Sequence, residues 1–213
     1  MIFIGTGLTP ARERDWMRPP AARVRVPVAV LKQARSYGNM AALPEYNSSR
    51  SDTMPIKVGE KIPAAVLTVM SKDGPSKTST ADLFGSGKVV LFSVPGAFTP
   101  TCSARHLPGF VDHAAAIKAK GVDRIVCLAV NDVFVMNAWG KQGNVEDKIV
   151  MAADGNGEFT RALGLELDAT GFGMGTRGQR FAFISENGII KSLEVEGPGE
   201  FKVSSAEHVL SLL

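Results

Sequence analysis

Cysteine is nearly absent from this chain, whose 213 residues include only Cys102 and Cys127. Two are too few for the disulfide framework of a small secreted scaffold, and they suit a reducing compartment. With three histidines and no Cys-x-x-Cys pair, a structural zinc site is not expected. No stretch of eighteen or more apolar residues occurs, so no membrane-spanning helix is predicted. Charge of one sign is also scarce, since 24 Lys and Arg face 21 Asp and Glu. The small excess sits at one end: residues 1–53 carry eight basic and four acidic side chains, the remainder sixteen and seventeen. A nearly neutral body offers no electrostatic footprint for nucleic acid.

Residues 1–53 hold seven arginines among short apolar pieces and scattered prolines. Arg-rich, Ser-containing, acid-poor leaders are the mark of a mitochondrial transit peptide, with Ala34-Arg35-Ser36-Tyr37 as a processing region. Glu13 and Asp15 run against that pattern, and a disordered tail on a cytoplasmic protein is the alternative. Met54 begins a different texture, and 54–213 is expected to form one domain of ordinary size.

Within it, Ala65 to Met70 reads as a strand, followed by a turn at Gly74-Pro75 and a short helix over Thr80 to Phe84 with Thr80 as its cap. Val89 to Val94 is almost continuously apolar and rich in β-branched residues, as a strand buried on both faces should be. A helix over 101–120, bent at Pro108, should bury Phe110, Ala114, Ile117 and Val111 before Gly121 ends it. Strands are expected at Ile125 to Val130 and Ile149 to Ala153, and helices at Phe134 to Lys141 and Glu158 to Leu163. Asn187-Gly188 predicts a hairpin between Phe181 to Ser185 and Ile189 to Val195, and Ser204 or Ser205 should cap a last helix. Alternating strands and helices, then a hairpin and a helix, describe an α/β protein of thioredoxin-like order, a central mixed sheet flanked by helices.

The chemistry points to Cys102. Pro95 and Gly96 stop the central strand, Thr99 can cap a helix and Pro100 suits its first position, so Cys102 falls in the first turn. There a thiol meets unpaired backbone N–H groups and the positive end of the helix dipole, which favour thiolate. Two glycine-rich lookalikes fail. Gly87-Lys88 opens a strand and lacks the Ser or Thr of a phosphate loop, and Gly171, Gly173 and Gly175 lack the strand and helix of a dinucleotide site.

Pro95-Gly-Ala-Phe-Thr99-Pro-Thr-Cys102 resembles the peroxiredoxin signature Pro-x-x-x-Thr-x-x-Cys. Met54 to Pro63, His106-Leu107-Pro108-Gly109-Phe110, Val130-Asn131-Asp132 and Trp139-Gly140 resemble the type II, or peroxiredoxin 5, subgroup. The resemblance implies a thiol peroxidase acting on hydrogen peroxide and alkyl hydroperoxides, with no bound cofactor. It also implies recycling by glutaredoxin and glutathione or by thioredoxin, and a homodimer formed through the loops near Phe98 and the helix of Trp139. In that scheme Cys102 attacks the peroxide, Thr99 and an arginine polarise it, and Pro95 shields the pocket. The arginine is expected immediately before the hairpin strand, at Arg180. Arg177 is expected to be a solvated loop residue and Arg105 a surface one. Thiolate alone is not enough, because lowering a thiol pKa from about 8.5 to about 6 raises its ionised fraction only roughly tenfold. Donors aimed at the departing oxygen must supply the rest.

His106, four residues after Cys102, reads as structural pocket lining rather than a base, with no orienting carboxylate evident; His113 and His208 read as surface residues. Cys127 lies in a core-strand sequence. A helix of roughly 25 Å followed by three strand residues keeps it beyond disulfide reach of Cys102. No cysteine follows it, so an external thiol is the expected reductant. Two other readings share these residues: a monothiol exchange protein, told apart by disulfide reduction without peroxide turnover, and a redox sensor, which would oxidise once and not cycle.

Overall fold

The computed structural model describes residues 54–213, so the Arg-rich leader and its processing region lie outside the described residues. Among the described residues nine strands form: β1 (Val66–Ser71), β2 (Gly74–Ser79), β3 (Lys88–Ser93), β4 (Arg124–Ala129), β5 (Val150–Ala153), β6 (Glu166–Asp168), β7 (Thr176–Gly178), β8 (Phe181–Glu186) and β9 (Ile189–Val195). The α-helices among the described residues are α1 (Thr80–Phe84), α2 (Leu107–Ala119), α3 (Val133–Gln142), α4 (Glu158–Ala162) and α5 (Ala206–Ser211). Seven strands make one mixed sheet in the order β2-β1-β5-β4-β3-β8-β9, with β3, β4 and β5 parallel and the others antiparallel. This is the thioredoxin-like arrangement that the alternation of elements predicts.

β3 lies inside the sheet because its side chains can be buried on both faces: Val89, Val90, Leu91 and Phe92 are all fully covered. Odd and even positions feed different cores. Val90 and Phe92 pack with Phe110, Ile117, Cys127 and Trp139 under α2 and α3. Val89 and Leu91 pack with Phe84, Phe159, Phe181 and Phe183 on the other face. The Phe92 and Phe110 rings stack at 3.9 Å and anchor α2 directly behind the end of β3.

Several local expectations change. Gly74–Ser79 is no loop after the turn; it pairs with β1 in continuous antiparallel register at the sheet edge. Its mostly exposed polar residues carry no alternation to mark it. Ser79, not Thr80, caps α1 through a reciprocal capping box with Asp82. Thr80 is buried, its hydroxyl donating to the Pro63 carbonyl and accepting from the Ala65 N–H. The Asn187-Gly188 hairpin forms as predicted, with both residues at positive φ. β6 and β7, a small antiparallel sheet of their own, flank the stretch of Gly171, Gly173 and Gly175 on either side.

Candidate functional site: the Cys102 turn

The chain becomes helical at Pro100, so Cys102 does occupy a first helical turn. That turn is not α-helical. Cys102–His106 is a π-helical turn closed by the Leu107 N–H donating to the Cys102 carbonyl. Pro108 explains it, since a proline has no N–H for the carbonyl four residues back, and the ladder widens in the turn before it. The expected bend at Pro108 is therefore a wider turn at the cysteine. Thr99 does not cap with its side chain either; its hydroxyl donates to the Gly96 carbonyl at 2.9 Å.

The loop from Pro95 to Thr99 is held from several sides. Asn131 Oδ1 accepts from the Ala97 N–H, and Asp132 next door caps α3 through the Phe134 and Val135 N–H groups. Phe98 sits at φ 63, a conformation costly for an aromatic residue, and is 49% exposed. Arg177, expected in solvent, is half-buried and braces the loop region, donating to the Met174 and Val130 carbonyls at 2.8 Å each. Trp139 Nε1 donates to Ser103 Oγ at 3.0 Å and ties α3 to the cysteine turn.

Cys102 is fully buried, but hydrocarbon is not its only neighbour. Arg180 Nη1 lies 3.4 Å from Sγ, brought from the residue just before β8 by the antiparallel pairing of β8 with β3. The same Nη1 lies 3.0 Å from His106 Nδ1. A cavity of about 420 Å³ opens beside them, its wall including Pro95, Thr101, Leu167, Gln179 and Arg180. Of the four residues expected in the site, Pro95 and Arg180 line the cavity. Cys102 and Thr99 are not among the residues of that wall, to which Thr101 belongs instead. A larger cavity of about 540 Å³, beside Lys61, Pro63 and Gly188, holds no thiol or imidazole.

His106, expected to line the pocket, is not part of the wall of the cavity beside Arg180. It is fully buried among Phe92, Phe110 and Phe201, with Nε2 2.9 Å from the Ser204 carbonyl. Burial, and then the Arg180 charge, push its pKa down to about 3, against the opposing pull of the Ser204 carbonyl and Glu196. The Glu196 carboxyl itself is raised by burial. The Ser204 and Lys202 N–H groups and the Ser204 hydroxyl more than compensate, leaving it below the ordinary carboxylate range. Sequence reasoning missed Glu196, Phe201 and Ser204 as neighbours of the site, because no spacing rule joins residues about ninety positions apart. Arg105 is exposed, as expected, and stacks its guanidinium 4.8 Å from the Phe201 ring. His113 and His208 are half-buried rather than fully on the surface, the latter 3.5 Å from Glu194.

A pH effect on stability follows from His106. The unfolded chain binds a proton on this imidazole near its ordinary pKa, about 6.5, and the native state does not until about pH 3. Acidification through that window therefore favours unfolding, by about 2 kcal/mol between about pH 7 and about pH 5. Urea titrations should show this extra loss in the wild type and its absence in His106→Asn. Equal pH dependence in the two proteins would show that the imidazole is not kept neutral.

Cys127 lies in β4 opposite Phe92, buried and free, as Cys102 also is. Burial, and after it the neighbouring Cys102, push its thiol well above the ordinary range. A thiol so placed is a poor nucleophile.

Comparison with known proteins places the chain in a family. The Redoxin family profile matches residues 57–210. Peroxiredoxin-2B of Arabidopsis thaliana is 45% identical over 160 residues, which cover 75% of this chain and 99% of that protein. The chloroplastic Peroxiredoxin-2E of the same plant is 46% identical over 165 residues, 76% of this chain and 70% of its own. The crystal structure of reduced Prx3 from Vibrio vulnificus in complex with H2O2 has 51% identity and a TM-score of 0.71, covering 74% of this chain and 98% of that one. With a matched span that includes the Pro95-to-Cys102 signature and every strand of the sheet, the chain belongs to the peroxiredoxins, of the type II kind, and is a thiol peroxidase of antioxidant defence.

Proposed function

We propose that Cys102 is the peroxidatic nucleophile and that Arg180 is the group that steadies the departing oxygen. The observation that carries this reading is the Arg180 Nη1 donor 3.4 Å from Sγ. A guanidinium stays charged at any working pH and presents several donors in one plane, so it can serve the sulfur and a peroxide oxygen together. The Cys102 thiolate attacks one peroxide oxygen, the O–O bond breaks, and the leaving alkoxide or hydroxide takes a proton to become alcohol or water. The sulfur is left as sulfenic acid. Thr99 is assigned to orient the peroxide through its hydroxyl oxygen, and Pro95 to form the lip that keeps bulk water from the sulfur. The cavity beside Arg180 offers Leu167 and Pro198 as apolar surface, which suits alkyl hydroperoxides as well as hydrogen peroxide.

Recycling is assigned to an external thiol. Attack on the sulfenic acid releases water and leaves a mixed disulfide on Cys102, which a second thiol resolves. Glutathione with glutaredoxin, and thioredoxin, are the two donors to compare. Mixing reduced protein with peroxide should consume one peroxide and one thiol per chain and yield a sulfenic acid that a dione reagent traps. Peroxide left unconsumed would overturn the reading. Cys127→Ser should keep its turnover with glutathione and glutaredoxin, while losing about 1–3 kcal/mol of stability to a hydroxyl in an apolar cluster. Loss of turnover in a folded variant would make Cys127 a resolving thiol.

Two further assignments rest on more general support. Phe98 and Phe134 are 49% and 65% exposed, which favours a homodimer over the Pro95–Thr99 loop and the outer face of α3. Trp139 itself is buried in its own chain. The arginine-rich residues 1–53 are assigned as an organelle-targeting leader, mitochondrial by composition, although the plant relative Peroxiredoxin-2E is chloroplastic. The N-terminus of the mature protein tests this.

A further inference from the structure

The sulfur is not the only group that can draw Arg180. Arg180 sits at the edge of an open cavity whose wall also includes Glu196 and Glu200, and long cationic side chains near carboxylates tend to fold onto them. What opposes this is a closed circuit of hydrogen bonds. Arg180 Nη1 donates to His106 Nδ1 at 3.0 Å, and His106 Nε2 donates to the Ser204 carbonyl at 2.9 Å. The Ser204 N–H and hydroxyl donate to Glu196 Oε1 at 2.9 and 2.8 Å, and the Lys202 N–H adds a third bond to the same oxygen at 2.6 Å. The Glu196 N–H then donates to the Arg180 carbonyl at 3.0 Å, closing the circuit on the residue where it began.

Only one arrangement of protons satisfies it. A guanidinium can only donate and a carbonyl can only accept, so Nδ1 must be bare and Nε2 must carry the hydrogen. Moving the proton to Nδ1 breaks both bonds at once, setting N–H against N–H at Arg180 and lone pair against lone pair at Ser204. Protonating both nitrogens puts a second cation beside Arg180. The Ser204 carbonyl thus decides the tautomer, and Glu196 keeps that carbonyl in place by occupying both donors of Ser204. Phe201, from the same segment, closes over the pair, its ring 4.9 Å from the imidazole ring and 5.7 Å from Arg180 Cζ.

We propose that the segment from Glu196 to Ser204 is a positioning device for Arg180: it locks His106 in the Nε2–H tautomer, whose bare Nδ1 holds the guanidinium on Cys102. Glu196, Ser204 and His106 are positioning residues, acting through Arg180. The inference rests on the reading of Arg180 given above. It turns the C-terminal connection into part of the reaction's geometry rather than a tether for α5.

Nitrogen-15 NMR of the reduced full-length chain reads the tautomer directly, without peroxide. The wild type should show a protonated Nε2 and a bare Nδ1 at His106, and Glu196→Ala should show a mixture of tautomers. Stopped-flow measurement of the reaction of Cys102 with peroxide reads the consequence. His106→Leu should slow it about tenfold to a hundredfold, the loss expected for a hydrogen bond to a charged group. His106→Asn, whose Oδ1 can accept where Nδ1 did, should recover part of that loss, and Glu196→Ala should be slowed as well. A wild-type imidazole protonated at Nδ1, or wild-type rates in both His106→Leu and Glu196→Ala, would overturn the inference while leaving the peroxidase reading intact. Should either variant fail to fold, the wild-type tautomer still decides. A wild type that leaves peroxide untouched would overturn the underlying reading instead.

Discussion

Cys102→Ser should lose peroxide reduction by about 10⁴-fold or more, the scale seen when the nucleophile of a covalent mechanism is removed. A serine hydroxyl stays protonated near neutral pH, where a thiol can ionise, and it has no sulfenic acid chemistry open to it. The exchange is also nearly isosteric, so the fold should persist. Cys102 packs in the core with Val94, Phe92 and Leu107, and an oxygen there still has Arg180 as a donor. The measurement is stopped-flow loss of peroxide under a fixed thiol donor, beside a thermal melt to confirm the native state. Residual turnover near the wild-type rate would remove Cys102 from the mechanism. Attention would then pass to Cys127, the other thiol of the chain.

The second large effect is expected at Arg180. Its replacement by Ala should lower the second-order rate with peroxide by about 10²–10³-fold, the usual consequence of deleting one donor aimed at developing charge. Arg180→Lys should remain at least about tenfold below wild type. An ammonium is a point charge that cannot address Sγ, His106 Nδ1 and an incoming oxygen from one plane. Arg177 supplies the control. Its guanidinium is committed to the Met174 and Val130 carbonyls, so Arg177→Ala should weaken the loop more than the chemistry. A full rate in Arg180→Ala together with collapse in Arg177→Ala would reverse the two assignments.

The legibility of this protein varied with the range of the interactions involved. β3 and β4 could be read because strands buried on both faces need apolar residues at every position, and Val89 to Phe92 and Ile125 to Leu128 meet that demand. The Asn187-Gly188 hairpin could be read because its backbone conformation admits few residues. β2 could not be read, since an edge strand of mostly exposed polar residues carries no period. The π-helical turn at Cys102 escaped for a different reason. Pro108 announces a disturbance, but where the ladder widens depends on what packs around it, here His106 against Phe92, Phe110 and Phe201.

The sequence by itself determined the candidate reactive element: a buried strand stopped at Pro95, a helix opened at Pro100, and a thiol two residues later, all set by backbone chemistry within a dozen positions. It also marked Arg180 as the cation to watch, through the family resemblance. What only the tertiary structure decided was how that cation is held. Arg180 reaches Cys102 because β8 pairs with β3, and it stays there because a histidine from the cysteine turn accepts from it. That histidine can accept because a carbonyl near the C-terminus claims its proton. Hydrogen-bond direction between groups about a hundred residues apart has no imprint on local sequence; it exists only once the sheet brings the donors and acceptors together.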